Sequence, residues 1–194
     1  NPGLPYAGSL KDFVAAAKAQ PGKLTIGSAG GGSGTHMTGE LFRLRAGINM
    51  IHVPYKGAGQ AMTDLVSGQV QVFLNNFLAG MPMIKAGKLR ALAVTTPKRV
   101  GVMPDLPTMA EVLPGFDVVG WYGVLVPTGT PKPVIERLHR EIVKAVALQD
   151  AKDRFFGAGL EVKSSTTPLE FGAFVQNDVA RWADVIKRAN IKMD

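Results

Sequence analysis

Short apolar segments alternate with amphipathic helical patterns along the first half of the chain, and this alternation limits the fold more than any other feature. The connections are short, which is typical of a mostly parallel sheet covered by helices on both faces. A capping-box pattern begins the first helix at Ser9, and Pro21 and Gly22 end it. The sequence therefore predicts an α/β fold. The predicted strands of this fold are 24–26, 50–53, 70–74 and 89–95. Three helices are predicted between the strands: the first ends before Gly47, the second is 60–67 and the third is 77–86.

The second half of the chain is rich in predicted helices and poor in predicted strands. A long apolar strand is expected at 118–126, and two long amphipathic helices begin near Pro131 and Thr167. Between these helices lie only a short helix at 150–156 and a short strand at 160–163. Since the helices need a sheet to cover, we expect the missing strands from sequence upstream of Asn1 or from another chain. The residues expected to be buried are Ile135, Leu138, Ile142 and Val146 in the first helix, and Phe171, Phe174, Val175, Val179, Trp182 and Ile186 in the second.

Composition excludes several classes of protein. Of the 194 residues, 46% are hydrophobic and the mean hydropathy is +0.11, which excludes a disordered chain. No apolar run reaches the roughly 18 residues of a membrane span. The first residues do not show the pattern expected of a signal peptide, and the mature or trimmed form of an exported protein would look the same. Without cysteine there are no disulfides and no thiolate metal sites.

The charge of the chain favours anionic partners. There are 22 lysine and arginine residues against 15 aspartate and glutamate residues, so the net charge is +7. A basic surface suits nucleic acids, membranes or small carboxylates. However, the basic residues are scattered and aromatic residues make up only 7%, so the sequence lacks a basic stripe with stacking aromatics. We therefore expect no nucleic acid among the partners.

The strongest candidate for a site is the glycine-rich loop, residues 27–36, which lies between a predicted strand and a predicted helix. Backbone amides in such a loop lie at the positive end of a helix dipole and suit a carboxylate or a phosphate. Ser28, Ser33 and Thr35 add hydroxyl donors. The glycine spacing matches neither the dinucleotide-binding motif nor the P-loop, and an ordinary flexible turn is the alternative.

Two further loops follow predicted strands, one at 55–57 and one at 75–76. Ligands of open parallel sheets bind outside the carboxyl ends of the strands, where all three loops would be neighbours. Lys56 could supply a charge, and Tyr55 a hydroxyl or an aromatic wall. The loop at 55–57 could equally be an ordinary turn, and for the pair Asn75 and Asn76 alone a turn is the favoured interpretation.

The residue types needed for catalysis are not found in a catalytic arrangement. Neither Ser28 nor Ser33 stands in a Gly-x-Ser-x-Gly elbow. The histidines at 36, 52 and 139 lack metal-ligand spacing, and no pair of carboxylates suggests acid–base chemistry. His52 is interpreted as structural, and His36 as either a ligand contact or the partner of a carbonyl. These features favour a binding protein without metal or cofactor. An α/β enzyme that holds a phosphorylated or carboxylated substrate in the loop is the alternative.

Several motifs in a fixed order point to a known family. The most specific are Val-Pro-Tyr-Lys-Gly at 53–57 and Lys-Ala-Gly-Lys-Leu-Arg-Ala-Leu-Ala-Val-Thr at 85–95. They are accompanied by Pro-Gly-Lys-Leu at 21–24, the segment 28–36, Leu-Pro-Thr at 106–108, Trp-Tyr-Gly at 121–123 and Pro-Thr-Gly-Thr-Pro at 127–131. On these residues, essentially the whole chain resembles the periplasmic substrate-binding receptors of tripartite tricarboxylate transporters, often called the Bug family.

The resemblance implies a type II periplasmic-binding protein, a two-lobed Venus flytrap in the periplasm that closes on a small carboxylate and meets membrane transporter subunits. Members of the family begin with roughly a further hundred residues. The resemblance therefore implies one complete lobe at 3–118. At 119–194 it implies a crossover strand and the C-terminal part of the other lobe. The exposed elements of that incomplete lobe would allow a homodimer. The implied ligand-binding residues are Ser28, Ala29, Gly30, Gly32, Ser33, His36, Tyr55, Lys56, Gly57, Asn75 and Asn76.

One departure from the family pattern concerns the ligand. Many members have Phe-Asp-Asn where this chain has Leu74, Asn75 and Asn76. Without that carboxylate the ammonium group of an amino acid loses its charge partner, so we expect a dicarboxylate, an aromatic carboxylate or a similar anion.

A ligand-sensing regulatory domain of the same flytrap class, normally fused to a DNA-binding module, is a third hypothesis, although no such module lies within this sequence.

Overall fold

The computed structural model describes residues 1–191, apart from the side chain of Leu78. These residues form two compact units, one that contains Asn1–Gly120 and resumes at Val185, and one that is Trp121–Asp184. The division into lobes at 3–118 and 119–194 stays a prediction, and its last three residues lie outside the described part. The helices are α1 (Leu10–Ala19), α2 (Gly34–Ala46), α3 (Ala58–Ser67), α4 (Phe77–Lys85), α5 (Lys132–Ala147), α6 (Gln149–Gly157) and α7 (Pro168–Ala189), and the strands are β1 (Thr25–Ser28), β2 (Ile51–Pro54) and β3 (Val72–Phe73).

The three strands form a parallel sheet in the order β2-β1-β3, so that β1 is central. Ser28, the last residue of β1, is paired with Pro54 of β2, and Gly27 is paired with Phe73 of β3. Because the strands run in the same direction, their carboxyl ends lie at one edge of the sheet. The first three predicted strands and their helices are confirmed, within a few residues at their ends.

The first two helices have the terminal residues that the sequence predicts, and they pack against each other. The side chain of Ser9 caps α1 by accepting a hydrogen bond from the amide three residues later. α2 ends at Gly47, whose left-handed conformation (φ 62°) stops the helix. Phe13 of α1 stacks on Phe42 of α2, with 6.3 Å between ring centroids. The largest side chains that are almost fully buried are Phe13, Phe42, Phe116, Ile26, Met50 and Val70.

The strand predicted at 89–95 is wrong. In this segment Val94 makes one isolated parallel bridge, with Thr108. A strand persists only where a neighbouring segment pairs with its backbone along its length. Among the described residues, hydrogen bonds from this segment to such a neighbour involve only Val94 and Thr95. Beyond the bridge, a capping box is present at the short 3-10 helix Met109–Glu111, where the Glu111 carboxylate accepts a 3.0 Å hydrogen bond from the Thr108 amide.

The described residues of the second unit contain helices and no strand. The strands predicted at 118–126 and 160–163 do not form, and Tyr122 and Leu125 are each 75% exposed. The predicted burial of the apolar stripe of α5 is also wrong, because no residue of α5 is buried, and in α7 only Val185 is buried. A strand needs a partner for its backbone and a helical stripe needs a surface to cover. The described residues supply neither.

Trp121 anchors the beginning of the second unit to α7. Its ring packs edge-on against Phe171 and Phe174, at centroid distances of 5.6 and 5.4 Å. Its indole N–H donates a 2.9 Å hydrogen bond to the carboxylate of Asp178. A Cβ atom at Gly123 would overlap the ring of Phe171, so this close approach requires a glycine.

Candidate functional site

The candidate site lies at the edge of the sheet where the three strands end. β1 leads into the glycine-rich loop, β2 into residues 55–57, and β3 into residues 74–76. The amide of Tyr55 donates a 3.1 Å hydrogen bond to the carbonyl of Ser28, which joins the first two loops. At Gly30, where φ is +130°, a Cβ atom would lie 3.2 Å from the carbonyl oxygen of Tyr55, so the two backbones approach closely at a residue that must be glycine. The predicted site residues all lie on these three segments or in the first turn of α2.

The hydroxyl groups of the glycine-rich loop are engaged within the loop. Ser28 is completely buried, and its Oγ accepts a 3.2 Å hydrogen bond from the amide of Gly30. The hydroxyl of Ser33 donates a 2.8 Å hydrogen bond to the carbonyl of Gly30. Thr35 Oγ1 accepts a 2.8 Å hydrogen bond from the amide of Ala29. In this arrangement Ser28 and Ser33 shape the loop, and their contact with a ligand stays a prediction.

Backbone donors are available where α2 begins. Ser33 caps the helix, since its Oγ accepts a 3.2 Å hydrogen bond from the amide of His36. The amides of Gly34 and Thr35 lie in the first helical turn and have no acceptor within the helix. No other part of the described chain accepts a hydrogen bond from them. An anion here would meet free amides and the positive end of the helix dipole.

Two stacked histidines lie beneath the loop. The rings of His36 and His52 are 4.0 Å apart at their centroids and 4° from parallel. His52 Nε2 lies 2.7 Å from Ser28 Oγ, and His36 Nδ1 accepts a 3.0 Å hydrogen bond from the amide of Gly32. Burial lowers the pKa of His52 below its usual 6.5, and the neighbouring His36 lowers it further. The expectation that His52 is structural fits this geometry, but sequence analysis missed its contact with Ser28, which the register of β1 and β2 creates.

The second loop is held by α3. The hydroxyl of Tyr55 donates a 2.8 Å hydrogen bond to Asp64, and burial together with this carboxylate raises the pKa of Tyr55 to about 12. The amide of Lys56 donates to the side chain of Gln60 at 3.4 Å. The side chain of Lys56 is exposed and forms no ion pair with any residue that the structure describes. Its ammonium group is thus open to a ligand, whereas the Tyr55 hydroxyl already has a partner that sequence analysis did not identify.

The third loop contains both turn-forming and unpaired groups. Oδ1 of Asn75 accepts a 2.9 Å hydrogen bond from the amide of Asn76. Asn76 in turn caps α4 through a 3.1 Å hydrogen bond from the amide of Ala79. Nδ2 of Asn75 is buried and has no hydrogen-bond partner within the described chain. The pair therefore acts as a turn, as sequence analysis favoured for an isolated pair, and leaves one amide group unsatisfied.

The chemistry of these groups suits binding better than reaction. Ser28 and His52 are close enough for a nucleophile and its base, but the Ser28 side chain is completely buried, so no substrate can reach it. In the described part of the chain no group of three or more His, Cys, Asp or Glu residues could hold a metal ion. None of the described helices is both long and apolar enough to cross a membrane.

Comparison with known proteins gives a match over nearly the whole chain. A family model described as "Tripartite tricarboxylate transporter family receptor" matches residues 2–191. Protein BugT of Bordetella pertussis is 34% identical over 186 residues, which is 95% of this chain and 57% of BugT. A UPF0065 protein of a Pseudomonas species is 36% identical over 179 residues, 91% of this chain and 53% of the relative. The chain thus spans about half the length of these curated relatives.

Several solved structures also resemble the chain over nearly its whole length. A Rhodopseudomonas palustris protein solved with adipate has a TM-score of 0.89 and 33% identity, over 97% of this chain and 63% of its own. The periplasmic binding protein BugD has a TM-score of 0.84 and 32% identity, and the match covers 99% of this chain and 64% of BugD. MatC from Rhodopseudomonas palustris with bound malate has a TM-score of 0.82 and 30% identity, and the match covers 93% of this chain and 62% of MatC. These likenesses confirm the predicted α/β periplasmic-binding fold.

Proposed function

Because the chain belongs to the tripartite tricarboxylate transporter receptor family, we propose that it works as a periplasmic receptor that captures a small carboxylate. The family consists of receptors and not of enzymes, which disfavours the alternative of an α/β enzyme. The ligand would be a dicarboxylate or an aromatic carboxylate. Closure around it would present a surface to membrane subunits of the transporter, and a homodimer remains part of the proposal.

One observation carries this proposal. The glycine-rich loop ends at the N-terminus of α2, a helix of 13 residues, where the amides of Gly34 and Thr35 have no acceptor in the described chain. A carboxylate placed there gains charge-assisted hydrogen bonds and a favourable interaction with the helix dipole. Lys56, on the neighbouring loop, adds an exposed positive charge that forms no ion pair with any residue in the described chain. The remaining predicted ligand-binding residues of the loop are Ser28, Ala29, Gly30, Gly32, Ser33 and His36, and their hydrogen bonds within the loop would also hold the backbone in the shape that presents these amides.

The ligands of two neighbours support the same chemistry. One was solved with adipate and another with malate, and both of these molecules are dicarboxylates without an amino group. The third loop fits such a ligand, because Asn75 and Asn76 bring neutral amides and no carboxylate to the edge of the sheet. Tyr55 and Gly57 would then complete the second wall of the site. A second carboxylate of the ligand would be held by Lys56.

A thermal-shift screen tests the proposal. The panel contains adipate, malate, benzoate, aspartate, a nucleotide and a sugar phosphate. A ligand that binds only the folded protein raises the melting temperature with the logarithm of its concentration over its dissociation constant. We expect a shift with one or more of the non-amino carboxylates. A shift with the phosphates and with none of the carboxylates would overturn the proposal in favour of the enzyme.

A matched pair of lysine variants then locates the site. Lys56→Gln removes the charge beside the glycine-rich loop, while Lys11→Gln removes an equally exposed charge on α1. We expect Lys56→Gln to weaken dicarboxylate binding about tenfold, because a charge-assisted contact contributes about 1.5 kcal/mol or more. Lys11→Gln should bind as the wild type does. Equal effects of the two variants would show that the lysine acts only through net charge.

A further inference from the structure

The glycine-rich loop is fixed from inside by two side chains that come from different elements. His52, on β2, contacts Ser28 Oγ at 2.7 Å, at the point where β1 ends. His36, in the first turn of α2, accepts a 3.0 Å hydrogen bond from the amide of Gly32, in the middle of the loop. The two rings stack at 4.0 Å, so a movement of either ring moves the other. The beginning and the middle of the loop are therefore held by a single unit.

The contact with Gly32 determines which nitrogen of His36 carries a proton. A backbone N–H can only donate, so Nδ1 of His36 must be the unprotonated, accepting nitrogen. In the neutral ring the proton then lies on Nε2, which is 3.8 Å from the carboxylate of Glu40. Glu40 is buried, and a 2.7 Å salt bridge to Arg43 compensates its charge. The surroundings of the ring thus favour a single tautomer.

We propose that the stacked pair of His36 and His52 holds the glycine-rich loop in its ligand-binding shape, with His36 Nδ1 as the required acceptor for the Gly32 amide. This inference rests on the proposed carboxylate site. Both histidines are positioning residues, which act on the ligand through the backbone of the loop. Protonation of His36 at Nδ1 replaces the acceptor with a second donor, so it breaks the contact with Gly32 and loosens the middle of the loop.

This role predicts the opposite pH dependence from simple attraction of charges. A histidinium beneath the site would attract an anion, so Coulomb's law alone predicts tighter carboxylate binding at low pH. The loss of the Gly32 contact predicts weaker binding instead. Among the described residues, the charged and titratable groups that act on His52 are His36, Glu40 and Arg43, all on α2, and the Glu40 carboxylate also lies 3.8 Å from His36 Nε2.

Two variants at position 36 separate the acceptor from the shape of the ring. His36→Phe keeps a flat ring against His52 but has no acceptor. His36→Asn places an oxygen acceptor near the position of Nδ1 and does not titrate. We expect His36→Phe to weaken adipate binding about tenfold and His36→Asn by no more than about threefold, since one hydrogen bond contributes about 1 kcal/mol. His139→Asn is the control, because His139 lies on α5 and contacts the carbonyl of Ser165.

The deciding experiment combines NMR of the histidine rings with adipate titrations at a series of pH values. The expected results are an Nε2–H tautomer for His36, a Gly32 amide resonance that shifts as His36 is protonated, and adipate binding that weakens towards low pH in the wild type but not in His36→Asn. An Nδ1–H tautomer, or tighter binding at low pH, would overturn the inference. If neither adipate nor any other carboxylate binds, the proposed function fails, while the tautomer and the Gly32 resonance still decide whether the histidines hold the loop.

Discussion

The hydroxyl of Tyr55 donates a 2.8 Å hydrogen bond to Oδ2 of Asp64, nine residues further along the chain, and so ties the second loop to α3. Tyr55→Phe removes this bond and keeps the ring. We therefore expect the free energy of unfolding to fall by about 1 kcal/mol, measured by urea denaturation. Tyr6→Phe is the control, since the Tyr6 ring packs edge-on against Phe13 but its hydroxyl makes no hydrogen bond within the described chain. Equal losses in both variants would contradict the prediction.

The same residue predicts a change in stability at alkaline pH. Burial and the Asp64 carboxylate raise the pKa of Tyr55 from 10.0 to about 12. The folded protein therefore holds the phenol proton more tightly than the unfolded chain does. The resulting stabilisation is complete below pH 10 and is lost as the pH rises through about 12. Thermal melts across this range should show a shallower decline for Tyr55→Phe than for the wild type, and a steeper decline would speak against the assignment.

Gly30 is predicted to be intolerant of a side chain. Its φ of +130° is a conformation that other residues rarely adopt, and a Cβ atom would press on the carbonyl oxygen of Tyr55 at 3.2 Å. Gly30→Ala should reduce the free energy of unfolding by about 1–3 kcal/mol and weaken ligand binding. Gly34→Ala is the matched control, because a Cβ there meets no atom within 4 Å. Chemical denaturation of both variants tests the contrast, which disappears if the loop can relax around the alanine.

Glu111 should make stability depend on acid pH. The side-chain hydrogen bond from Arg99, followed by the bond from the Thr108 amide, lowers the pKa of Glu111 from 4.5 to about 2. Its contribution is present above pH 4.5 and is lost as the pH falls through about 2. Glu111→Gln should therefore melt below the wild type at neutral pH, with the gap closing towards pH 2. Glu136→Gln, which removes an exposed carboxylate 3.7 Å from Lys132, should show almost no gap at any pH.

Asn75 is predicted to set the preference between amino and non-amino ligands. Malate and aspartate share a carbon skeleton and differ in a hydroxyl against an ammonium group. We expect the wild type to prefer malate, and Asn75→Asp to move the ratio of affinities towards aspartate by about tenfold, because the new carboxylate pairs with the ammonium group. Isothermal titration calorimetry measures the ratio, with Asn177→Asp on α7 as the control. Tighter binding of aspartate than malate by the wild type would refute the expectation.

Local patterns predicted the elements whose stabilising contacts are close in sequence. The serine cap of α1 and the left-handed Gly47 after α2 are examples, and both are present. The strand predicted at 89–95 and the burial of the α5 stripe failed because each depends on a distant partner. Apolar content alone does not reveal whether such a partner lies in the same chain.

The position of the site was predictable, but its internal bonding was not. Parallel strands bring their carboxyl ends to one edge, so the three loops could be placed together from the order of elements. Ser28 and Ser33 look alike as hydroxyl donors in the sequence. The structure engages both within the loop, through contacts with Gly30 and His52 that depend on exact backbone angles and on strand register.

The end of the β1–β2 pairing has a consequence for changing the specificity of this protein. Ser28 is paired with Pro54, which has no amide hydrogen, and the Tyr55 amide then makes the last contact across the two strands, to the carbonyl of Ser28. The two loops thus start from one fixed junction and stay close as far as Gly30 and Tyr55. Beyond these residues an engineer can vary the lengths and side chains of both loops together, while the junction keeps their starting points in place.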